Sequence, residues 1–286
     1  MTSTSNPVFQ FVQQLAANLG QEELELPAFP DVVGRLHATL ADEDAGVKEV
    51  ITVISSEPVL SARLLKMANS AALNPAGNPI TNLNAAVMRL GFNLVRGTAA
   101  AYAIGQMRQQ EELAPIRAEL EAVWRGSNEV AAICYIVAKK AFGRQPDEAM
   151  LAGLLHQIGR LYILTHTLRA DPALREDPDY TEVLQSWQAP IGASILDAWG
   201  LPDRISEAVS AQDVLLAEAP DELSPLARLL SAAKLRNRLS TDPSLRDHHP
   251  DADDRMSVVT FGSSSFLDLV AAGQSDINTM QQTLGT

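Results

Sequence analysis

The sequence predicts an all-α protein built from two packed helical bundles. Apolar residues recur every three to four positions along most of its length. No run alternates apolar and polar residues between hairpin-type turns, and Gly and Pro fall where helices would start or stop. The chain has 286 residues, of which 46% are apolar and 20% charged, ample for packed cores in a globular protein.

Val47, Val50, Ile51 and Ile54 stand at i, i+3, i+4 and i+7 and mark one stripe of a helix. Ser56 is read as the N-cap of the next helix, with Pro58 in its first turn, where a missing N–H costs little. Leu60, Leu64 and Met67 carry that helix on, and Leu83, Val87 and Leu90 form another that stops at Gly91. Residues 92–106, FNLVRGTAAAYAIGQ, are dominated by small side chains that let two helix backbones approach closely. Pro115 precedes a long amphipathic run expected to end at Gly143, and the boundary between the bundles is placed at that proline. Ile191, Ile195 and Trp199 share a face, followed by Gly200 just past the helix end and by Pro202. From 240 to 256 the chain turns polar and proline-bearing, and apolar periodicity resumes at SFLDLVAAG. The expected organisation is a flanking helix within 1–24, a first bundle over 25–114 and a second over 115–240. A polar linker and C-terminal helical extension fill 241–286.

Charge narrows the function classes. With 22 basic and 35 acidic side chains the formal charge is −13, a field that repels phosphate backbones and anionic membrane surfaces. Nucleic acid and membrane are therefore disfavoured as partners. Cys134 is the only cysteine, so neither an intrachain disulfide nor a multi-cysteine metal cage can form. MTSTSNPVFQFVQQL lacks the basic start and long apolar run of a signal peptide, and no stretch approaches the ~18 apolar residues of a membrane span. A soluble cytoplasmic protein is expected. The sequence carries no GxxxxGK[ST] phosphate loop, no GxSxG elbow and no Cys–His pair for nucleophilic catalysis.

The segments LPAFPDVVGRL, VITVISSEPVLSARLLKMANSAAL and ITNLNAAVMRLG are followed by WRGSNEVAA, LLHQIGRL and GASILDAWGLP. In this order and spacing the chain resembles the HDOD domain over roughly residues 25–238. HDOD domains are similar to HD-domain phosphohydrolases and are common in bacterial signalling proteins. The resemblance implies that the second bundle is HD-like and that the chain is a regulatory module.

In an HD hydrolase a His on one helix, a His–Asp pair on the next and a later Asp hold a divalent ion; some members add further histidines. Imidazole donates a lone pair and carboxylate neutralises charge. The bound ion then lowers the pKa of a water, making the nucleophile. The matching positions here are Gly126, the pair His156–Gln157, Gln188, Gln212 with Asp213, and Lys234. The resemblance thus implies a site stripped of most ligands, with no catalytic residue, no metal and no cofactor.

Each candidate has a plainer reading. His156 stands in the apolar stretch MLAGLLHQIG and is first a buried imidazole bonded to a backbone carbonyl, with a ligand-sensing remnant as the sharper alternative. Asn69 and Ser70 end an apolar stripe, where backbone capping competes with lining a groove between the bundles. Arg63 is read as solvated unless it joins that groove. RDHHPDADD, with two histidines and four aspartates, has the composition of a solvated linker rather than a metal site. Arg125, Arg160 and Lys234 are the cations available to a phosphate.

Three functions compete. The favoured one is a non-catalytic module whose cleft engages other signalling proteins in trans, with a small ligand able to alter that binding. The second is a residual metal-dependent phosphodiesterase or nucleotidase. The third is a metal-free nucleotide sensor, for a cyclic dinucleotide for example, weakened by the scarcity of cations near the altered site.

Overall fold

The computed structural model describes residues 6–18, 31–42, 45–143, 145–216 and 223–284. The LPAFP part of the first motif lies outside these residues. Helices α2 (Asp31–Ala41), α3 (Val47–Ser55), α4 (Pro58–Ala68) and α5 (Leu83–Met107) form the first bundle. Val50, Ile54, Leu60, Leu64, Met67, Val87 and Leu90 are all buried, so the three stripes read from the sequence face one core.

Two details of this bundle differ from the sequence expectation. The N-cap of α4 is Glu57, with Pro58 at the first helical position, whereas Ser56 is the C-cap of α3. The Ser56 hydroxyl donates 2.7 Å back to the Val53 carbonyl and accepts from Arg35 at 2.9 Å, so it serves the end of α3 and not the start of α4. Gly91 does interrupt α5, but with φ 72° and ψ 164° it lies outside the left-handed helical region, in backbone space that only glycine enters freely. Beyond it the small-residue stretch packs as expected: Ala99 to Ala103 are buried, and a Cβ on Gly97 would lie 2.9 Å from the Leu154 side chain.

The second bundle holds α6 (Arg117–Ala141), α7 (Pro146–Leu155), α8 (Ile158–Ala170), α9 (Tyr180–Ala198), α10 (Asp203–Ser210) and α11 (Pro225–Thr241). Gly143, φ 61°, follows α6, and Gly200, φ 64°, follows α9. The Leu201 N–H donates 3.1 Å to the Leu196 carbonyl, closing the α9 terminus around that glycine. At the N-terminus α1 (Pro7–Asn18) docks on this bundle: Phe9 meets Trp187 edge-on at 5.9 Å, and Asn6 donates to Asp179 at 2.6 Å.

The C-terminal region is more ordered than a polar linker. It forms α12 (Leu245–His248) and α13 (Ala252–Ser257), which bury Leu245, Ala252 and Met256, with the exposed pairs Arg246–Asp253 and Arg255–Asp251 outside. A two-stranded antiparallel hairpin follows, β1 (Thr260–Phe261) with β2 (Ser264–Ser265). Strands of two residues are too short to leave an alternating pattern. Phe261 packs edge-on against Phe142 at 5.3 Å and ties the hairpin to the end of α6. The last helix, α14 (Phe266–Leu284), lies along α6 and buries Val270, Ile277, Met280 and Leu284. Among the described residues no helix is long and apolar enough to cross a membrane.

Candidate functional site

The turn from α7 to α8 carries the pair singled out in the sequence. His156 is the C-cap of α7 and Gln157 the residue before α8. This turn can sit deep in the bundle because α8 and α9 approach closely: a Cβ on Gly159 would lie 2.1 Å from the Gln188 carbonyl oxygen. His156 is 1% exposed, and its Nδ1 lies 2.7 Å from the Gly153 carbonyl. A carbonyl only accepts, so Nδ1 carries the hydrogen and Nε2 keeps a lone pair. Burial, reinforced by the charge of Lys234, pushes the imidazole pKa down to about 3. His156 is therefore neutral near pH 7.

Opposite this turn, α6 and α11 bring up Gly126 and Asn237. A Cβ on Gly126 would stand 2.9 Å from Gln157 Nε2 and 3.4 Å from Asn237 Oδ1, so the amides occupy the space that a side chain at 126 would need. Asn237 donates 2.8 Å to Glu129 Oε2, one turn further along α6.

Lys234, on α11, is 5% exposed. Its Nζ donates 2.8 Å to Gln212 Oε1 and 2.7 Å to Asp213 Oδ2. Burial pulls the ammonium pKa down to about 8 against the opposing pull of Asp213, which leaves it mostly charged at neutral pH. Arg238, one turn along α11, stands 3.6 Å from Asp213 Oδ1. Arg160 adds further positive charge, its own pKa lowered by burial, with Tyr180 and Glu119 acting against that shift. The crevice bounded by Gln212, Asp213, Lys234 and Arg238 has no space for a water molecule.

The structure thus brings His156, Gln157, Arg160, Gln212 and Lys234 into one neighbourhood. Gln188 is buried on α9, with its backbone against Gly159. The other candidates lie elsewhere. Asn69 caps α4: its amide donates to the carbonyls of Leu65 and Ile80, at 2.9 and 2.8 Å, and its Oδ1 accepts from the Ile80 N–H at 2.8 Å. Ser70 shares that turn, its N–H bonded to the Met67 carbonyl. Arg63 is half-buried rather than solvated, 5.8 Å from the Tyr102 ring centroid. Arg125 is exposed and paired with Glu121 at 3.3 Å. The partners of these four lie on α4, α5, α6 and the turn after α4 rather than on the His156 turn.

Asn237, Arg238 and Glu129 join the site without having been singled out. Asn237 and Arg238 follow Lys234 at i+3 and i+4, the spacing that puts them on its face of α11. That spacing was the available signal.

A divalent ion does not fit this donor set. The neighbourhood offers one imidazole, neutral amides and two carboxylates that already have partners: Asp213 is shared by Lys234 and Arg238, and Glu129 is bonded to Asn237 and faces Arg236. A buried ammonium adds repulsion where an ion would sit. Among the described residues no group of three or more His, Cys, Asp or Glu side chains is placed to hold a metal.

The fold defines a class, an all-α, HD-like domain. More specifically, the HDOD domain family matches residues 26–215, and the chain belongs to that family. A crystal structure from Shewanella amazonensis SB2B, provisionally named a metal-dependent phosphohydrolase, is 27% identical with a TM-score of 0.66. The match covers 97% of this chain and 99% of that one. An HDOD domain protein of unknown function from Geobacter sulfurreducens shares the fold at 21% identity, TM-score 0.58, over 96% of each chain. An uncharacterized protein of Treponema pallidum (strain Nichols) is 22% identical over 79% of this chain, which spans only 44% of that relative's length.

Proposed function

We propose that this HDOD domain is a non-catalytic regulatory module that works in trans through contacts with other signalling proteins. The observation that carries the reading is the ammonium of Lys234, held by Asp213 and Gln212 beside a neutral His156. An internal cation with two oxygen partners fulfils the electrostatic role of an ion without its Lewis acidity. It can hold the bundle together, but it cannot lower the pKa of a water to make a nucleophile.

The competing enzyme reading draws on the name of the Shewanella amazonensis structure, which is 27% identical. Against it stand Gly126, with no side chain, and Gln157, with a neutral amide. A nucleotide-sensing reading would rely on Arg160 and Arg238, yet Arg238 already faces Asp213.

Elemental analysis of protein purified without a histidine tag, paired with a phosphodiester hydrolysis assay, separates module from enzyme. The module reading expects well under ~0.1 transition metal per chain and no turnover above buffer. About one Mn, Fe or Zn per chain, removed by chelation together with a hydrolytic activity, contradicts it.

A further inference from the structure

The extension beyond the matched family residues forms one wall of an open surface cavity, apart from the His156 turn. It lies where α14 meets the end of α6 and the turn after α4. Its volume is about 360 Å³, and Ala71, Ala72, Ile136, Lys139, Lys140 and Asp276 are among its lining residues. Small-molecule sites commonly start near ~300 Å³. α14 comes this close to α6 because residue 273 is glycine: a Cβ there would lie 2.6 Å from Ile136 Cγ2 and 3.0 Å from Lys140 Cε.

The charges on this cavity are poorly matched. Lys139 Nζ donates 3.0 Å to the Ala72 carbonyl and lies 5.9 Å from the Tyr135 ring centroid, so neither contact supplies a formal negative charge. Lys140 reaches Asp276 only at 4.0 Å, and that carboxylate is 63% exposed. Lysines in a last helical turn also complement the helix dipole. That accounts for their place on α6, but not for an adjoining cavity walled by Ala71, Ala72 and Ile136. With Lys139 and Lys140 against the one carboxylate of Asp276, the cavity lining is net positive in a chain of formal charge −13.

We propose that this cavity binds a small amphiphilic anion, with a carboxylate or phosphate head between Lys139 and Lys140 and a short apolar body against Ala71, Ala72 and Ile136. Occupancy would bridge α14, the end of α6 and the turn after α4, tying the extension to the first bundle. The site stands apart from the regulatory reading of the His156 cluster and does not depend on it.

Calorimetric titration of the full chain with 4-phenylbutyrate and with 3-phenylpropyl phosphate tests the proposal, using 4-phenylbutyramide as the uncharged control. One of the two anions should bind saturably at one site per chain, at least ~10-fold more tightly than the amide, since charge-assisted contacts are the strong ones. The stronger arm identifies the head group. Lys139→Gln/Lys140→Gln should weaken binding at least ~10-fold, and Thr279→Phe, which fills the cavity from the exposed face of α14, should abolish it. Circular dichroism melting checks that each variant is folded. Failure of both anions to saturate, or binding unchanged in either folded variant, overturns the proposal.

Discussion

Lys234 Nζ lies 2.7 Å from Asp213 Oδ2, the lysine side chain 7% exposed and the aspartate 32%. The two ends of this pair differ in consequence. Loss of the carboxylate strands a buried ammonium among neutral acceptors, whereas loss of the ammonium leaves Asp213 with Arg238 and some solvent. Asp213→Asn should therefore destabilise the fold by ~1–3 kcal/mol at pH 7, and Lys234→Met by clearly less, because an uncompensated buried charge is the costly state. Urea unfolding of both variants checks the order. Equal midpoints for Asp213→Asn and wild type would show that the pair does not hold.

His156 makes stability depend on acid. Its pKa falls from an ordinary 6.5 to about 3 on folding, chiefly through burial. Between those values the unfolded chain binds the extra proton. Stability from this group is complete above pH 6.5 and is lost as pH drops toward 3, by roughly 1.4 kcal/mol per pH unit within the window. Measured stability should fall by ~0.7 kcal/mol from pH 7 to 6 and by ~1.2 kcal/mol from pH 6 to 5, and His156→Asn should flatten the fall. An unchanged slope in the variant would assign the acid sensitivity to other groups.

Lys234 also sets the imidazole. Its charge is the second contributor to the lowered His156 pKa, after burial. Lys234→Met should raise that pKa toward the ordinary value, read by NMR titration of the His156 ring. A titration point that does not move would place the two groups too far apart to couple.

Gly91 tests backbone strain without packing. Its φ is 72°, and nothing lies within 4 Å of an added Cβ. Gly91→Ala and Gly91→Val should each cost ~1–2 kcal/mol or more, from the dihedral angle alone. Thermal melting compares them. Wild-type melting temperatures for both would mean that the break in α5 relaxes to ordinary helical angles.

Local periodicity made the helices legible. The stripes at Val50, Leu64 and Val87 and the stops at Gly91, Gly143 and Gly200 are properties of neighbours in sequence, which helix geometry translates directly into burial. The short hairpin and the helices α12 and α13 were not legible, since two-residue strands and four-residue helices leave no period. At the site, His156, Gln157, Gln212 and Lys234 could be grouped through motif order. For Asn69 the plainer capping reading is the one the structure shows, and the i+3 and i+4 spacing from Lys234 marks Asn237 and Arg238. That spacing along α11 puts both on the face of Lys234, whereas the approach of Gly126 and Gln157 to Asn237 depends on how α6 and α11 pack against the α7–α8 turn, which only long-range contacts set.

In the proposed reading a built-in ammonium, and not one missing ligand, keeps the HD-like site free of metal. Calorimetry of Gln157→Asp with Mn²⁺ and Ni²⁺ tests this most directly, because that change alone restores the His–Asp pair. Gly126 still contributes no side chain, and Lys234 still places its charge beside His156. Two donors leave most of a divalent coordination sphere to water. No saturable binding of either ion is expected, in the variant or in wild type. Micromolar binding by Gln157→Asp, absent from wild type, would mean that the remaining ligands are intact and that Lys234 does not block the site.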